Sequence, residues 1–317
     1  MQDTQPQSLT EAVLHFSDPD VCHKHMVGIK WPDGNIVCPE CGGEKVGEIK
    51  SRRMFQCKTT ECRKQFSTKV GTIFEDSALS LSKWFVVIWL IANCKNGASS
   101  CELSRAILVT QKSAWHMLHR IRLAMQTGSF RKPLKGVFKS DETFIGGVAK
   151  NMHKDKKAKK IKGTGGTGKA IVHGVLKRSD GDHPSEVRLA VVLNQKRATL
   201  HRTIKRNVKK GSVVYTDKLA SYKGLDTDYI HDVIDHAVRY VEGLVHTNGM
   251  ENFWSLLKRI LRGTYVSVGP QHLMRYCDEE AFRFNERKGN DADRFGEVMN
   301  GVVGKRLTYS QLVSETA

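Results

Sequence analysis

The chain has 317 residues, and its 51 lysines and arginines outnumber its 33 aspartates and glutamates by 18 charges. This excess predicts a polyanionic partner and favours nucleic acid. The length and the 39% of hydrophobic residues suffice for about two buried cores, which argues against a disordered chain. The longest apolar run, residues 84–92, is too short for a membrane span of about 20 residues. No basic segment precedes an apolar stretch near the N-terminus, so we expect a cytoplasmic protein without a secretory signal.

Four of the eight cysteines lie close together and predict a metal site. Cys38 and Cys41 form a Cys-x2-Cys pair, and after fifteen further residues Cys57 and Cys62 form a Cys-x4-Cys pair. Two such pairs with a hairpin-length gap are typical of a zinc ribbon that holds one tetrahedral Zn²⁺. Four thiolates leave no open position for catalysis. We therefore expect one structural zinc ion, with two disulfides as the alternative.

Residues 79–127 show the periodicity of three helices. The first is apolar on nearly all sides, which predicts burial. Ser99 and Glu102 form a capping-box pattern before the second helix, and Thr110 can cap a third helix over residues 111–125. The short turn between the last two resembles a helix-turn-helix, in which the second helix enters the major groove of DNA. The alternative is a packing unit with a solvated basic face.

Basic side chains in three regions are candidates for DNA contacts: the ribbon, the third helix and the segment 150–169. That segment is rich in lysine and glycine and has little to bury, so we expect a mobile loop that neutralises DNA phosphates. It also contains a G-x4-G-K pattern, but alanine follows the lysine and a strand-like run comes next, so we expect no nucleotide cofactor. The candidates are Arg52, Arg53, Lys112, His116, Arg120, Lys156, Lys157, Lys159 and Lys160.

Three acids far apart in the sequence could converge on divalent metal ions. Asp141 lies in a predicted strand, Asp217 directly follows another, and Glu251 lies near the start of a predicted helix. Carboxylates anchored at such positions can hold two Mg²⁺ or Mn²⁺ ions about 4 Å apart for phosphoryl transfer on DNA. Lys258 falls on the same helix face as Glu251 and could contact a phosphate. Taken singly, each acid would by default be a solvated surface residue.

Together these residues resemble a known signature. Asp141-Glu-Thr, Thr216-Asp217, and Asn248 to Glu251 with Lys258 seven residues later look like the DDE transposase motif. With the four-cysteine ribbon in front, the chain is similar to bacterial insertion-sequence transposases of the ISXO-like group. The resemblance implies a multidomain protein whose α/β catalytic domain is RNase H-like. It implies a mixed five-stranded sheet with Asp141 on the first strand, Asp217 on the fourth and Glu251 on a following helix.

The resemblance also implies a function. It predicts a DNA transposase that binds the terminal inverted repeats of a mobile element and cuts and joins strands, with Asp141, Asp217 and Glu251 holding two Mg²⁺ or Mn²⁺ ions and Lys258 on a phosphate. Its partners would be double-stranded DNA of the element ends and the target, within the nucleoid, and further copies of the chain in a dimer or larger synaptic assembly. Two alternatives remain open: a non-catalytic zinc-ribbon regulator, and an RNase H-like nuclease that cuts without joining.

Four domains are expected: a zinc ribbon with an N-terminal helix at 1–72, a helix-turn-helix-like segment at 79–127, the catalytic domain at 135–300 and a tail at 301–317.

Some site assignments stay open at this stage. Glu142 should point to the opposite strand face from Asp141, so only one of them is expected to face the metals, and the motif favours Asp141. Asn248 is a candidate further ligand or DNA contact, ranked below Glu251. His246 and Arg283 are candidates for DNA contacts or for structural pairing.

Overall fold

The computed structural model describes residues 5–126, 132–146, 155, 168–233 and 248–314. The chain divides into two compact units, the first formed by Met1–Thr127 with Gly289–Ala317 and the second by Gly128–Lys288. The catalytic domain was expected to extend to residue 300, whereas residues 289–300 group with the first compact unit.

The first unit opens with two helices and a small sheet. Helices α1 (Leu9–His15) and α2 (Pro19–Lys30) are capped by Ser8 and Asp18. The antiparallel sheet follows, with strands β1 (Val46–Ile49), β2 (Met54–Cys57) and β3 (Gln65–Phe66) in that order. Its core combines aromatic rings with metal-site cysteines: Trp31, Cys38, Phe55, Cys57 and Phe66.

Three helices continue the first unit, as the periodicity predicts. They are α3 (Leu81–Asn93), α4 (Ser100–Ala106) and α5 (Gln111–Ala124). The burial predicted for α3 is confirmed, since most of its apolar side chains are inaccessible to solvent. The capping box of Ser99 and Glu102 and the cap by Thr110 are also confirmed.

The second unit is a sheet covered by helices on both faces. Its elements are β4 (Val137–Ile145), β5 (Ala170–Lys177), β6 (Glu186–Val192), α6 (Arg197–Asn207), β7 (Val213–Thr216), β8 (Ile230–Val233), α7 (Asn248–Gly263) and α8 (Leu273–Asn285). The strand order is β6-β5-β4-β7-β8. Strands β4, β5 and β6 pair antiparallel, whereas β7 pairs parallel with both β4 and β8. The mixed five-stranded sheet is therefore confirmed.

The two faces of this sheet have separate cores. One contains Phe138 and Val214 from the sheet, Leu200 and Ile204 from α6, and Tyr222 from a short 3-10 helix after β7. The other packs apolar side chains of α7 and α8 against β5 and β6. Because successive strand residues point to opposite faces, the side chains of β4 are divided between these two cores.

The chain then returns to the first unit with α9 (Asp291–Asn300) and α10 (Tyr309–Val313). The ring of Phe295 in α9 packs against Phe85 and Trp89 of α3, edge-on against Phe85. This aromatic contact explains why residues 289–300 belong with the first unit. None of the helices in the described residues is long and apolar enough to cross a membrane.

Candidate functional site

The four cysteines of the ribbon form one compact cluster. All four Sγ atoms lie within 4.8 Å of one another, with Cys38 and Cys62 3.8 Å apart and Cys41 and Cys57 3.6 Å apart. Sulfurs bound to one tetrahedral zinc at about 2.3 Å would be about 3.8 Å apart, whereas a disulfide requires about 2.05 Å. The cluster therefore fits one structural Zn²⁺ and does not fit two disulfides.

Local backbone geometry builds this cluster. Gly42 has a φ of +71°, and its N–H donates to the carbonyl of Cys38 and closes the first knuckle. Such a left-handed φ carries no steric cost for glycine. Hydrogen bonds from Thr59 lower the pKa of Cys57 to about 7, which favours the thiolate form that binds metal. Both features come from residues inside the ribbon.

The candidate DNA contacts on the ribbon are exposed. Arg52 donates to the side chain of Gln65 at 3.3 Å, and Arg53 forms an ion pair with Asp20 of α2 at 2.5 Å. Solvent screens an exposed ion pair of this kind, so the Arg53 guanidinium can exchange partners, as can the exposed guanidinium of Arg52.

The basic face of α5 differs from the prediction. Lys112 is exposed, with its Nζ 4.3 Å from the ring centre of Tyr309. Arg120, only 5% exposed, donates to the backbone carbonyls of Ile73, Glu75 and Leu307. The Leu307 carbonyl also lies 3.1 Å from Nε2 of the half-buried His116. The predicted exposure is therefore wrong for Arg120, and the neighbouring His119 and Arg122 are buried as well. The C-terminal segment covers this face of α5. The helical periodicity of α5 could not predict this burial.

Several predicted contacts lie outside the described residues. These are Lys156, Lys157, Lys159 and Lys160, and also His246. Asn248 is the first residue of α7.

Strand pairing brings two of the predicted acids together. Strand β4 pairs parallel with β7, with Lys139 opposite Tyr215, so that Asp141 and Asp217 lie two residues further along neighbouring strands. One carboxylate oxygen from each of Asp141, Glu142 and Asp217 lies within 4.8 Å of the others. Oxygen ligands of one Mg²⁺ at about 2.1 Å lie roughly 3 to 4 Å apart. The donor set and spacing therefore fit a hard divalent cation with small side-chain shifts.

Each acid accepts a hydrogen bond from another residue. The indole Nε1–H of Trp254 in α7 donates to Oδ2 of Asp141 at 2.9 Å. The hydroxyl of Tyr222 donates to Oε1 of Glu142 at 2.7 Å, from the face covered by α6. The backbone N–H of Leu219 donates to Asp217 at 3.0 Å. Asp141 and Glu142 thus have partners on opposite faces, as strand alternation predicts, but Glu142 still places an oxygen in the group.

Burial disfavours the charged forms of the acids in this group. It raises the pKa of Glu142 to about 7 and raises that of Asp141 above its usual range, although the bond from Trp254 opposes the second shift. Lys139, two residues before Asp141, is 6% exposed, and burial lowers its pKa to about 8. Its Nζ makes no hydrogen bond to the described residues. A bound cation would relieve the repulsion among the carboxylates.

Glu251 lies close to this group but is not part of it. It is exposed in the first turn of α7, and its charge, like those of Asp141 and Asp217, opposes the lowering of the Lys139 pKa. Lys258 lies further along the same helix and is partly buried. Apolar side chains of α7 are buried, among them Met250, Phe253, Trp254, Leu257 and Leu261.

Sequence reasoning missed three residues that shape the site: Lys139, Tyr222 and Trp254. Trp254 lies in an apolar stretch of α7, and a buried indole N–H normally needs an acceptor, which was the available signal. Nothing in the sequence around Tyr222 indicated its contact with Glu142. Arg283, for which DNA contact and structural pairing were both open, forms buried ion pairs with Glu279 and Glu280 of its own helix, as structural pairing predicts.

Comparison with known proteins adds family information to this geometry. Residues 133–285 match the family described as ISXO2-like transposase domain, and residues 17–65 match the transposase zinc-ribbon domain. Over 248 residues the chain is 29% identical to an uncharacterized protein in transposable element ISH50 of Halobacterium salinarum, an alignment covering 74% of this chain and 80% of that protein. Over 101 residues it is 37% identical to an uncharacterized transposase-like protein of Haemophilus influenzae, covering 32% of this chain and 81% of that protein.

Proposed function

This chain belongs to the IS1595 family of insertion-sequence transposases, which carry an N-terminal zinc ribbon and an ISXO2-like transposase domain, and we propose that it binds the terminal repeats of its element and cuts and joins DNA strands. One observation carries the proposal: Asp141, Glu142 and Asp217 meet at two parallel strands inside the matched transposase domain. A regulator that only bound DNA would have no need for this costly grouping of like charges.

The catalytic unit is proposed to be RNase H-like. In support, its first three strands pair antiparallel, the next two add in parallel, and helices cover both faces. The acids lie on the first strand, directly after the fourth strand and at the start of a following helix. The same arrangement was expected from the resemblance.

In the proposed site Asp141 and Asp217 hold the metal ions, and Glu251 completes the set from α7. Glu142 is available as a further ligand. Mg²⁺ or Mn²⁺ bound there would stabilise charge on the attacking and leaving oxygens of phosphoryl transfer. Trp254 keeps Asp141 oriented, and the Leu219 N–H does the same for Asp217. Lys258 is assigned to a backbone phosphate.

Two successive phosphoryl transfers account for the reaction. Water attacks a phosphodiester at the element end, a P–O bond forms as the P–O bond to the 3′ oxygen breaks, and the 3′ oxygen takes up a proton. This 3′-hydroxyl then attacks a phosphodiester of the target, and the target strand's own 3′ oxygen leaves. Neither step requires a covalent bond between protein and DNA. Because two ends must be joined to one target, we propose a dimer or larger assembly.

DNA binding is assigned mainly to the first unit. The exposed guanidinium groups of Arg52 and Arg53 on the ribbon support it, and so does the exposed Lys112 on α5. Helices α4 and α5 are proposed to act as a helix-turn-helix. The lysine-rich segment 150–169 is proposed to neutralise phosphates of flanking or target DNA.

A strand-transfer assay with labelled element ends and Mg²⁺ or Mn²⁺ tests the proposal. Wild type should nick and join, whereas Asp217→Ala and Glu251→Gln should bind the ends normally and do neither. Asp232→Asn, which alters an exposed acid on β8, is the matched control and should behave as wild type. Binding without cutting by wild type would favour the regulator, and cutting without joining would favour the nuclease. Normal cutting by the Glu251 variant would remove that residue from the site.

A further inference from the structure

We propose that a directed chain of hydrogen bonds, from His173 through Ser140 and Tyr222, holds Glu142 as an additional metal-binding carboxylate of this site. The inference rests on the proposed metal-dependent function and deepens it. It assigns a positioning role to three residues that the DDE motif does not include.

The chain of contacts is continuous and buried. Nε2 of His173 on β5 lies 2.7 Å from Oγ of Ser140 on β4, which lies 3.4 Å from the hydroxyl of Tyr222. That hydroxyl donates to Oε1 of Glu142 at 2.7 Å. His173 and Ser140 are inaccessible to solvent, and Tyr222 is 1% exposed. Glu142 and His173 are directly opposite each other in the β4–β5 pairing, so the sheet itself fixes the two ends of the chain.

The direction of the protons follows from the groups involved. When Glu142 is ionised, as a metal-binding carboxylate is, it only accepts, so Tyr222 must donate to it. Tyr222 can then only accept from Ser140, and Ser140 accepts in turn from Nε2–H of His173. The reverse orientation at His173 would lose the bond between Ser140 and Tyr222. All three bonds form only when every donor points toward Glu142, which stabilises its charge.

The position of Glu142 indicates the role of its negative charge. Tyr222 occupies Oε1, and the carboxylate still contributes an oxygen to the group with Asp141 and Asp217. A purely structural partner for Tyr222 could be a neutral glutamine, without the cost of a third buried charge beside two aspartates. Donors behind metal-binding side chains typically fix their orientation. The geometry therefore points to Glu142 as a ligand and to Tyr222 as the residue that orients it.

Direct Mn²⁺ binding tests the inference without relying on catalysis. Zinc-loaded full-length protein is titrated with Mn²⁺ by calorimetry and electron paramagnetic resonance, with Asp217→Ala defining binding outside the site. Tyr222→Phe, which deletes only the hydroxyl, should weaken Mn²⁺ binding by about 10-fold or more. Glu142→Gln should weaken it at least as much, and adding Tyr222→Phe to it should have no further effect.

Tyr229→Phe is the matched control. Its hydroxyl donates to the Val208 carbonyl at 3.2 Å in the same core but does not reach the acids. It should lower the thermal midpoint about as much as Tyr222→Phe while leaving Mn²⁺ affinity unchanged. If Tyr222→Phe does not fold, Ser140→Ala provides the same test with a smaller expected loss of affinity.

Two results would overturn the inference. One is wild-type Mn²⁺ affinity in Tyr222→Phe, or in Ser140→Ala if that variant is needed, and the other is wild-type affinity in Glu142→Gln. If Mn²⁺ binding depends on Tyr222 but wild type never cuts DNA, the inference stands and the proposed transposase activity fails. If Asp217→Ala binds Mn²⁺ as well as wild type, both fail.

Discussion

Two candidate metal sites in the described part of the chain are built in different ways. The cysteine site takes all four ligands from residues 38–62, and its orienting groups, Gly42 and Thr59, lie in the same stretch. The carboxylate site takes its proposed ligands from residues 141–251 and depends on the parallel pairing of β4 with β7. Cysteine spacing therefore predicts the first site directly, whereas the second exists only when the sheet has formed.

The orienting groups show the same contrast. Trp254 and Tyr222 approach the acids from helical segments on opposite faces of the sheet. A change remote from the acids can therefore disturb the second site, whereas only changes within the ribbon should disturb the first.

The largest expected effect is loss of the ribbon in Cys38→Ser. Structural zinc in small modules supplies an apparent folding free energy of about 10 to 16 kcal/mol, so three thiolates should not hold the ribbon together. Zinc content by mass spectrometry should fall well below one equivalent, and hydrogen exchange should rise over residues 38–66 only. Cys101→Ser, at an exposed cysteine, is the control. One retained equivalent of zinc in Cys38→Ser would mean that the four cysteines do not form a single closed site.

A second prediction extends the comparison to basic side chains. Arg120→Leu removes the guanidinium that donates to three buried or partly buried carbonyls, and we expect it to lower the free energy of unfolding by about 2 to 4 kcal/mol. The control Arg52→Ala should leave denaturant unfolding unchanged and weaken DNA binding. Unchanged stability with weaker DNA binding in Arg120→Leu would restore Arg120 as a DNA contact.

Gly174→Ala should perturb the carboxylate site from a distance. Gly174 pairs with Asp141 across the β4–β5 ladder, and an added Cβ would lie 2.7 Å from Cη2 of Trp254. Overpacking of this kind costs about 1 to 3 kcal/mol, and displacing the indole should weaken its bond to Asp141 and lower Mn²⁺ affinity. Gly263 lies on the same helix as Trp254, and a Cβ added there meets nothing within 4 Å. Gly263→Ala should therefore change neither stability nor Mn²⁺ affinity. Normal Mn²⁺ affinity in Gly174→Ala would show that the site tolerates remote repacking.

The smallest difference in stability from its control is expected for Trp254→Phe. It removes the N–H donor to Asp141, at a cost of about 1 kcal/mol for the hydrogen bond. Mn²⁺ affinity should nevertheless fall, because Asp141 loses its orientation. Trp84→Phe removes an equivalent bond to Ser77 in the first unit and should cost similar stability without changing Mn²⁺ affinity. Equal Mn²⁺ affinities of the two variants would remove Trp254 from the positioning groups.

The sequence by itself determined the features that depend on near neighbours. The zinc ligands, the capping box at Ser99, the buried helix α3 and the inward face of α7 all follow from spacings of a few residues. The mixed sheet was predicted from the resemblance to the DDE transposase motif. These predictions succeed because thiolate spacing, helix caps and helical periodicity are local properties of the chain.

Only the tertiary structure decided which polar groups meet. It buried Arg120 beneath a C-terminal segment almost two hundred residues away, and it brought Glu142 into contact with Tyr222 and into the group with Asp141 and Asp217. It also placed residues 289–300 with the first unit. Strand alternation determines which face of the sheet a side chain lies on, but it does not determine which elements pack against that face. Burial, hydrogen-bond partners and shifted pKa values depend on those non-local contacts, which no short stretch of sequence specifies.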